Sequence, residues 1–179
     1  MNYIIVDLEA TCWENKAAGK NEIIEIGAVK VNSDREIVGE FQTFVKPIKN
    51  PTLSEFCKDL TSIRQEEVDN APHFFEALKL FQDWIGTGAF FLCSWGFYDQ
   101  KQFQEDCNLH QLDKDWLTNH ISLKHQHAKI TKQRRALGMR NALKQEKITL
   151  TGTHHRGIDD ARNITKIFLK YFDRWDYRS

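Results

Sequence analysis

Two acids, Asp7 and Glu9, stand two positions apart at the end of the apolar run in "YIIVDLEATCW", residues 3–13. Side chains alternate across a strand, so both share a face with Tyr3 and Ile5, their Cα atoms roughly 7 Å apart. Two like charges buried together need protons or a cation, and hard oxygen ligands suit magnesium or manganese. The competing reading ends the strand at Asp7 and leaves Glu9 solvated in a loop. A third acid, Asp99 in "CSWGFYDQKQF", follows an apolar run and the Gly96 turn. It would lie on the C-terminal side of a sheet, where open α/β folds build their sites, although a helix N-cap calls for the same residue type.

The segment "GTHHRGIDDARNITKIFLKYF" brackets His154 and His155 with glycines and then begins a helix with two aspartates. Helical spacing aligns Asp160 with Ile164, Ile167 and Tyr171, and Asp159 with Arg162, Asn163, Lys166 and Lys170. Asp160 is therefore expected to face inward and Asp159 water. An inward aspartate needs a partner, which a metal shared with other acids would supply. Asp159 fits a first-turn residue favoured by the helix dipole.

The elements that must position these residues follow from periodicity. Tyr3 to Leu8, Glu22 to Val31 and "IVGEFQTFV" read as strands, the last two a hairpin around "NSDRE". Leu53 to Asp59 and Ser62 to Val68 read as short helices, and Phe74, Leu78, Phe81 and Ile85 fall at helical spacing. "AFFLCSW" reads as a buried strand followed by a helix that begins near Asp99, and Ala136 to Lys144 and Ile158 to Phe172 as two more helices. The order of elements predicts a mixed α/β sheet covered by helices.

Bulk properties narrow the class. With 179 residues, 41% of them hydrophobic, and no Pro/Gly/Ser-rich linker, one core is expected. The start has no basic leader, and the first apolar run breaks at Asp7, well short of the roughly 20 residues of a membrane span, so a cytoplasmic protein with no membrane partner is expected. Cys12, Cys57, Cys93 and Cys107 form no CxxC pair, which argues against a zinc site or a disulfide scaffold. The formal charge is zero, so attraction to polyanions must come from local patches. Lys129, Lys132, Arg134, Arg135, Arg140, Lys144 and Lys147, interrupted only by Glu146, are either such a patch or a solvated helix face. Trp13, Trp95 and Phe97 are candidates for base stacking, with core packing the favoured reading for Trp95 and Phe97. His120, His125 and His127 have no metal spacing and read as surface residues.

With inward acids on three separated segments, the sequence resembles the DEDDh, or DnaQ-like, 3′–5′ exonucleases, whose pattern is Asp-x-Glu, a later Asp and a closing His-x4-Asp. "DLEAT", "SWGFYD" and "HRGIDD" match these motifs. His154 with Asp159 fits the last spacing as well as His155 with Asp160; the second register is adopted for the inward face of Asp160 and the family's H-x-G-x-D-D. "IIEIGAVKV" and "PTLSEFCKDLTSIRQEEVDNAP" extend the resemblance over nearly the whole chain, toward the KapD-like and histone-mRNA 3′-exonuclease branch associated mainly with RNA. Ser62 stands where that branch usually has glycine.

The resemblance implies an α/β ribonuclease-H-like fold, a five-stranded mixed sheet flanked by helices, as a single 3′–5′ exonuclease domain over residues 1–179. It implies two divalent ions, Mg²⁺ or Mn²⁺, held by Asp7, Glu9, Asp99 and Asp160, with His155 as general base and nucleoside 5′-monophosphates as products. Ala10 and Thr11 would meet the terminal sugar, and Leu60, Thr61 and Ile63 the terminal base. The implied partner is single-stranded nucleic acid, RNA favoured, with any protein partner unnamed. Two rivals stand beside this reading: a DNA-directed proofreading or repair exonuclease, and a catalytically silent nucleic-acid-binding module.

Overall fold

The computed structural model describes residues 1–15 and 19–177. Five strands, β1 (Asn2–Ala10), β2 (Ile23–Asn32), β3 (Ile37–Phe44), β4 (Phe90–Ser94) and β5 (His120–Ser122), form one sheet in the order β3-β2-β1-β4-β5. The three N-terminal strands meander antiparallel, whereas β4 and β5 run parallel to β1. A parallel neighbour requires a crossover. Here α1 (Glu55–Thr61), α2 (Gln65–Asp69) and α3 (Phe74–Ile85) supply the one between β3 and β4. The remaining helices are α4 (Tyr98–Leu109), α5 (Leu123–Ile130), α6 (Met139–Gln145) and α7 (Gly157–Lys170).

Central β1 is buried on both faces, and its alternation divides the core. Tyr3 and Ile5 pack with Ala161, Ile164 and Phe168 of α7, while Ile4, Val6 and Leu8 pack with Phe81 of α3 and Phe103 of α4. Asp7 and Glu9 thus extend the row that faces α7, as strand periodicity predicts. This is the mixed five-stranded sheet flanked by helices that the sequence implies.

Several details depart from the sequence reading. The fifth strand of the implied sheet, β5, and helix α5 were not placed on particular residues, because a three-residue strand is too short to show a period. They bury His120 and His127, leaving only His125 exposed. A buried imidazole needs polar partners: His120 Nε2 meets Ser94 Oγ at 2.9 Å, and His127 Nε2 meets Glu146 Oε1 at 3.0 Å. Phe97 is 46% exposed against the His125 ring and does not fill the core, whereas half-buried Trp95 packs on it and donates its indole N–H to Leu137 O. Trp13 is half-buried. Helix α1 starts where Ser54 Oγ caps Cys57 N–H, runs past Asp59 to Thr61, and stops because Ser62 turns left-handed (φ 59°). That backbone costs an L-residue roughly 1–2 kcal/mol, a cost that glycine at this position would avoid. Asn163, expected on the outer face of α7, is fully buried, because its amide bonds both Thr151 N–H and Thr151 O. Among the described residues no helix is long and apolar enough to cross a membrane.

Candidate active site

The site forms where two strands part. Pairing of β1 with β4 ends at Ile5 and Cys93, while β1 continues to Ala10 alongside β2. Beyond the split, Leu8 N–H donates to Asp99 Oδ1 at 3.1 Å, so the first turn of α4 fills the gap with a buried carboxylate. The remaining acid arrives on α7, which crosses the β1–β2 pair at Gly27. A Cβ on Gly27 would lie 2.0 Å from Ile158 N, and one on Gly157 would lie 2.9 Å from Asp7 O. Only a bare backbone lets helix and sheet approach this closely.

Glu25, opposite Glu9 in the sheet register, fixes that approach. Its fully buried carboxylate accepts Gly157 N–H and Arg156 Nε–H on one oxygen, each at 3.1 Å, and Gln42 Nε2 at 2.7 Å on the other. A buried carboxylate survives in a core only when its oxygens are so occupied. Glu25 was not among the expected site residues; its signal in the sequence is an acid inside the otherwise apolar "IIEIGAV".

Asp7, Glu9, Asp99, Asp160, His154 and His155 border one cavity of about 260 Å³, walled also by Trp95, Tyr98 and Met139. Asp7, Glu9 and Asp160 each bring a carboxylate oxygen within 4.8 Å of the others. Asp160 Oδ2 accepts His154 Nδ1–H at 2.7 Å and His155 backbone N–H at 3.0 Å, and its buried Oδ1 has no partner. Burial, then repulsion from Asp99, Glu9, Asp160 and Glu25, pushes the Asp7 carboxyl well above the usual range. Burial, then Glu25 and Asp160, moves Glu9 up to about 8. Burial raises Asp99 to about 6 although Leu8 N–H opposes it, and burial likewise raises Asp160 against the hydrogen bond from His155. His155 shifts down, through burial and then the neighbouring His154. An unpartnered buried oxygen among mutually repelling acids fits a hard divalent cation, which takes oxygen ligands and cancels their charge.

All five residues expected to do chemistry therefore meet in one place. Asp159 does not line the cavity: its oxygens take Thr153 N–H at 2.8 Å and Arg162 at 3.0 Å, half-buried rather than facing water. His155 adopts a left-handed backbone (φ 63°), and its ring stacks on His154 with centroids 3.9 Å apart. The contact of His154 with Asp160 was not anticipated, since it depends on that turn. Ala10, Thr11, Leu60, Thr61 and Ile63 do not line the acidic cavity. Ala10 is buried, Thr11 Oγ1 accepts Glu22 N–H, Thr61 Oγ1 bonds Cys57 O and Ile63 N–H, and Ile63 is core; only Leu60, 38% exposed, offers an accessible side chain.

The chain matches the exonuclease family RNase_T over residues 4–168. It is 34% identical over 188 residues to ERI1 exoribonuclease 2 of Xenopus laevis, covering 92% of this chain and 27% of that protein. It is 29% identical over 168 residues to the probable 3′-5′ exonuclease KapD of Bacillus subtilis (strain 168), covering 92% and 82%. The solved nuclease domain of 3′hExo, a DEDDh family member bound to rAMP, superposes with a TM-score of 0.90 at 31% identity, covering 96% of this chain and 92% of that one. The chain spans about a quarter to a half of the length of the first curated relatives it matches.

Proposed function

Because this chain belongs to the RNase_T exonuclease family, we propose that it hydrolyses nucleic acid, RNA by preference, from the 3′ end to nucleoside 5′-monophosphates. The observation that carries the reading is the convergence of carboxylates from β1, α4 and α7 on one cavity in which Asp160 Oδ1 lacks a partner. The preference for RNA is supported by the exoribonuclease at 34% identity and by the rAMP in the 31% identical nuclease domain. The reading takes residues 1–179 as one exonuclease domain, and the free state of all four cysteines fits the reducing cytoplasm.

The family implies divalent metal ions. We assign two, magnesium or manganese, to Asp7, Glu9, Asp99 and Asp160; when bound they neutralise the scissile phosphate and ease ionisation of the attacking water. Asp99 commits Oδ1 to Leu8 N–H and borders the same cavity. His155, its pKa lowered, is neutral near pH 7 and takes the proton from that water. His154 and the His155 N–H hold Asp160 Oδ2, which leaves the buried Oδ1 without a hydrogen-bond partner. The left-handed backbone of His155 is the kind of strain that persists where function requires a fixed geometry.

The test is digestion of 5′-labelled single-stranded RNA and matching DNA, with magnesium or manganese, by wild type and Asp7→Ala. A ladder shortening from the 3′ end, faster on RNA and absent in the variant, is the expected result. Faster cutting of DNA would move the assignment to the DNA-directed reading. Binding without shortening would leave the silent module.

A further inference from the structure

We propose that the exposed face of α6 and the loop joining it to α5 form a track for the phosphate backbone of the nucleic acid, upstream of the end being cut. The inference rests on the exonuclease reading for the position of that end. A cavity lined by four carboxylates repels a polyanion, and the chain as a whole has no net charge to offset that repulsion.

The charge is segregated. Residues 116–158 hold nine of the 25 lysines and arginines and only one of the 25 acids, a net of +8 that leaves −8 on the rest. The one acid, Glu146, does not dilute the patch. Its carboxylate is 6% exposed and is consumed by His127, by Lys170 at 2.6 Å and by the Tyr171 hydroxyl at 2.7 Å. Lys132, Arg134, Arg135, Arg140, Lys144 and Lys147 are all exposed, and none forms an ion pair among the described residues. Elsewhere Arg35, Lys58, Arg64, Lys79 and Arg162 each meet an acid.

These cations lead away from the site. Met139 lines the acidic cavity, and its neighbour Arg140 lines a groove of about 630 Å³ with Asn141, Lys144 and Ile148. Arg140 and Lys144 are one helical turn apart on the side of α6 opposite buried Ala142 and Leu143. Arg140 is close enough that its charge acts on His155. The Gln133 amide bonds Gln145, which holds the Lys132–Arg135 loop beside the far end of α6. The helix gives the track a length of roughly 10 Å beyond the cavity. Between residues 110 and 177 no large hydrophobic side chain is exposed among those described, so the patch lacks the apolar anchors with which basic helices enter membranes. A chain of phosphates with one end in the cavity is the partner that fits.

The test neutralises Lys132, Arg134, Arg135 and Lys144 to glutamine, sparing Arg140 beside the site, and confirms the fold by circular dichroism. Binding of a single-stranded RNA of about 20 nucleotides is measured by fluorescence anisotropy in EDTA over a salt series. The ratio of kcat/KM on that RNA to kcat/KM on a dinucleotide is measured with magnesium. Each lost phosphate contact removes about 0.7 from the slope of log affinity against log salt, so four remove up to about 2.8. The expected result is about a tenfold weaker Kd near physiological salt, a shallower slope, and a fall in the ratio of similar size. Unchanged Kd, slope and ratio would overturn the track. So would loss of binding to phosphatidylserine vesicles with RNA binding retained. If wild type binds the RNA, the variant binds it weakly, and neither substrate is cut, the exonuclease reading fails and the track stands. If both substrates are cut and the variant matches wild type, the reverse holds.

Discussion

At the residue scale the site is legible where chemistry follows spacing and illegible where it follows backbone angle. Alternation along β1 was enough to aim Asp7 and Glu9 at α7, and helical spacing was enough to turn Asp160 inward. Nothing in "GTHHRGIDD" announces that His155 sits at φ 63°, yet that turn brings both His154 Nδ1 and His155 N–H onto Asp160 Oδ2. The two histidines thereby acquire separable roles, His154 holding the acid with its ring and His155 with its backbone N–H while its own ring stacks on His154. His155→Ala is expected to lower kcat by about 10²–10⁴-fold with KM nearly unchanged, the size of a lost general base. His154→Ala loosens Asp160 and should raise the metal concentration needed for half-maximal rate. Steady-state kinetics on labelled RNA with titrated magnesium separates the two, and an unchanged kcat for His155→Ala would remove it from the reaction.

At the element scale the decisive contact is the seating of α7 on the sheet. The glycine in "IIEIGAV" was visible, but its partner, the backbone at Ile158, lies more than 130 residues on and leaves no trace in local pattern. The same limit hid β5, whose three residues take their place from β4. Gly27→Ala puts a methyl where helix backbone already lies, and overpacking of this kind typically costs about 1–3 kcal/mol. The expected result is a lower urea midpoint together with a loss of activity larger than that of an equally destabilising change in the α3 face of the core, because Asp160 moves with the helix. Equal losses would mean that α7 tolerates displacement without disturbing the site.

At the scale of the whole molecule, stability and metal are linked through the same acids. Glu9, raised to about 8, and Asp99, raised to about 6, hold protons in the folded protein at pH values where the unfolded chain has released them. Folding therefore binds protons across that window, and the metal-free protein loses stability as pH rises from about 4 toward 8. A divalent cation binds the ionised acids, so the gain in Tm on adding magnesium is expected to be larger at pH 8 than at pH 5.5. Thermal unfolding in EDTA and in magnesium at the two pH values checks this, and a gain independent of pH would sink it. The neutral total charge was plain from composition, but the burial of Glu146, which sharpens the +8 segment, required the fold.

The order of the chain adds a consequence in time. During synthesis in the N- to C-terminal direction, β1, bearing Asp7 and Glu9, emerges more than 150 residues ahead of Asp160. Until α7 docks on Gly27, the polypeptide leaving the ribosome has two acids on an unfinished sheet edge and no enclosed cavity. An exonuclease of this topology would thus lack its assembled site while still surrounded by its own message and ribosomal RNA, with competence arriving only when α7 closes the sheet.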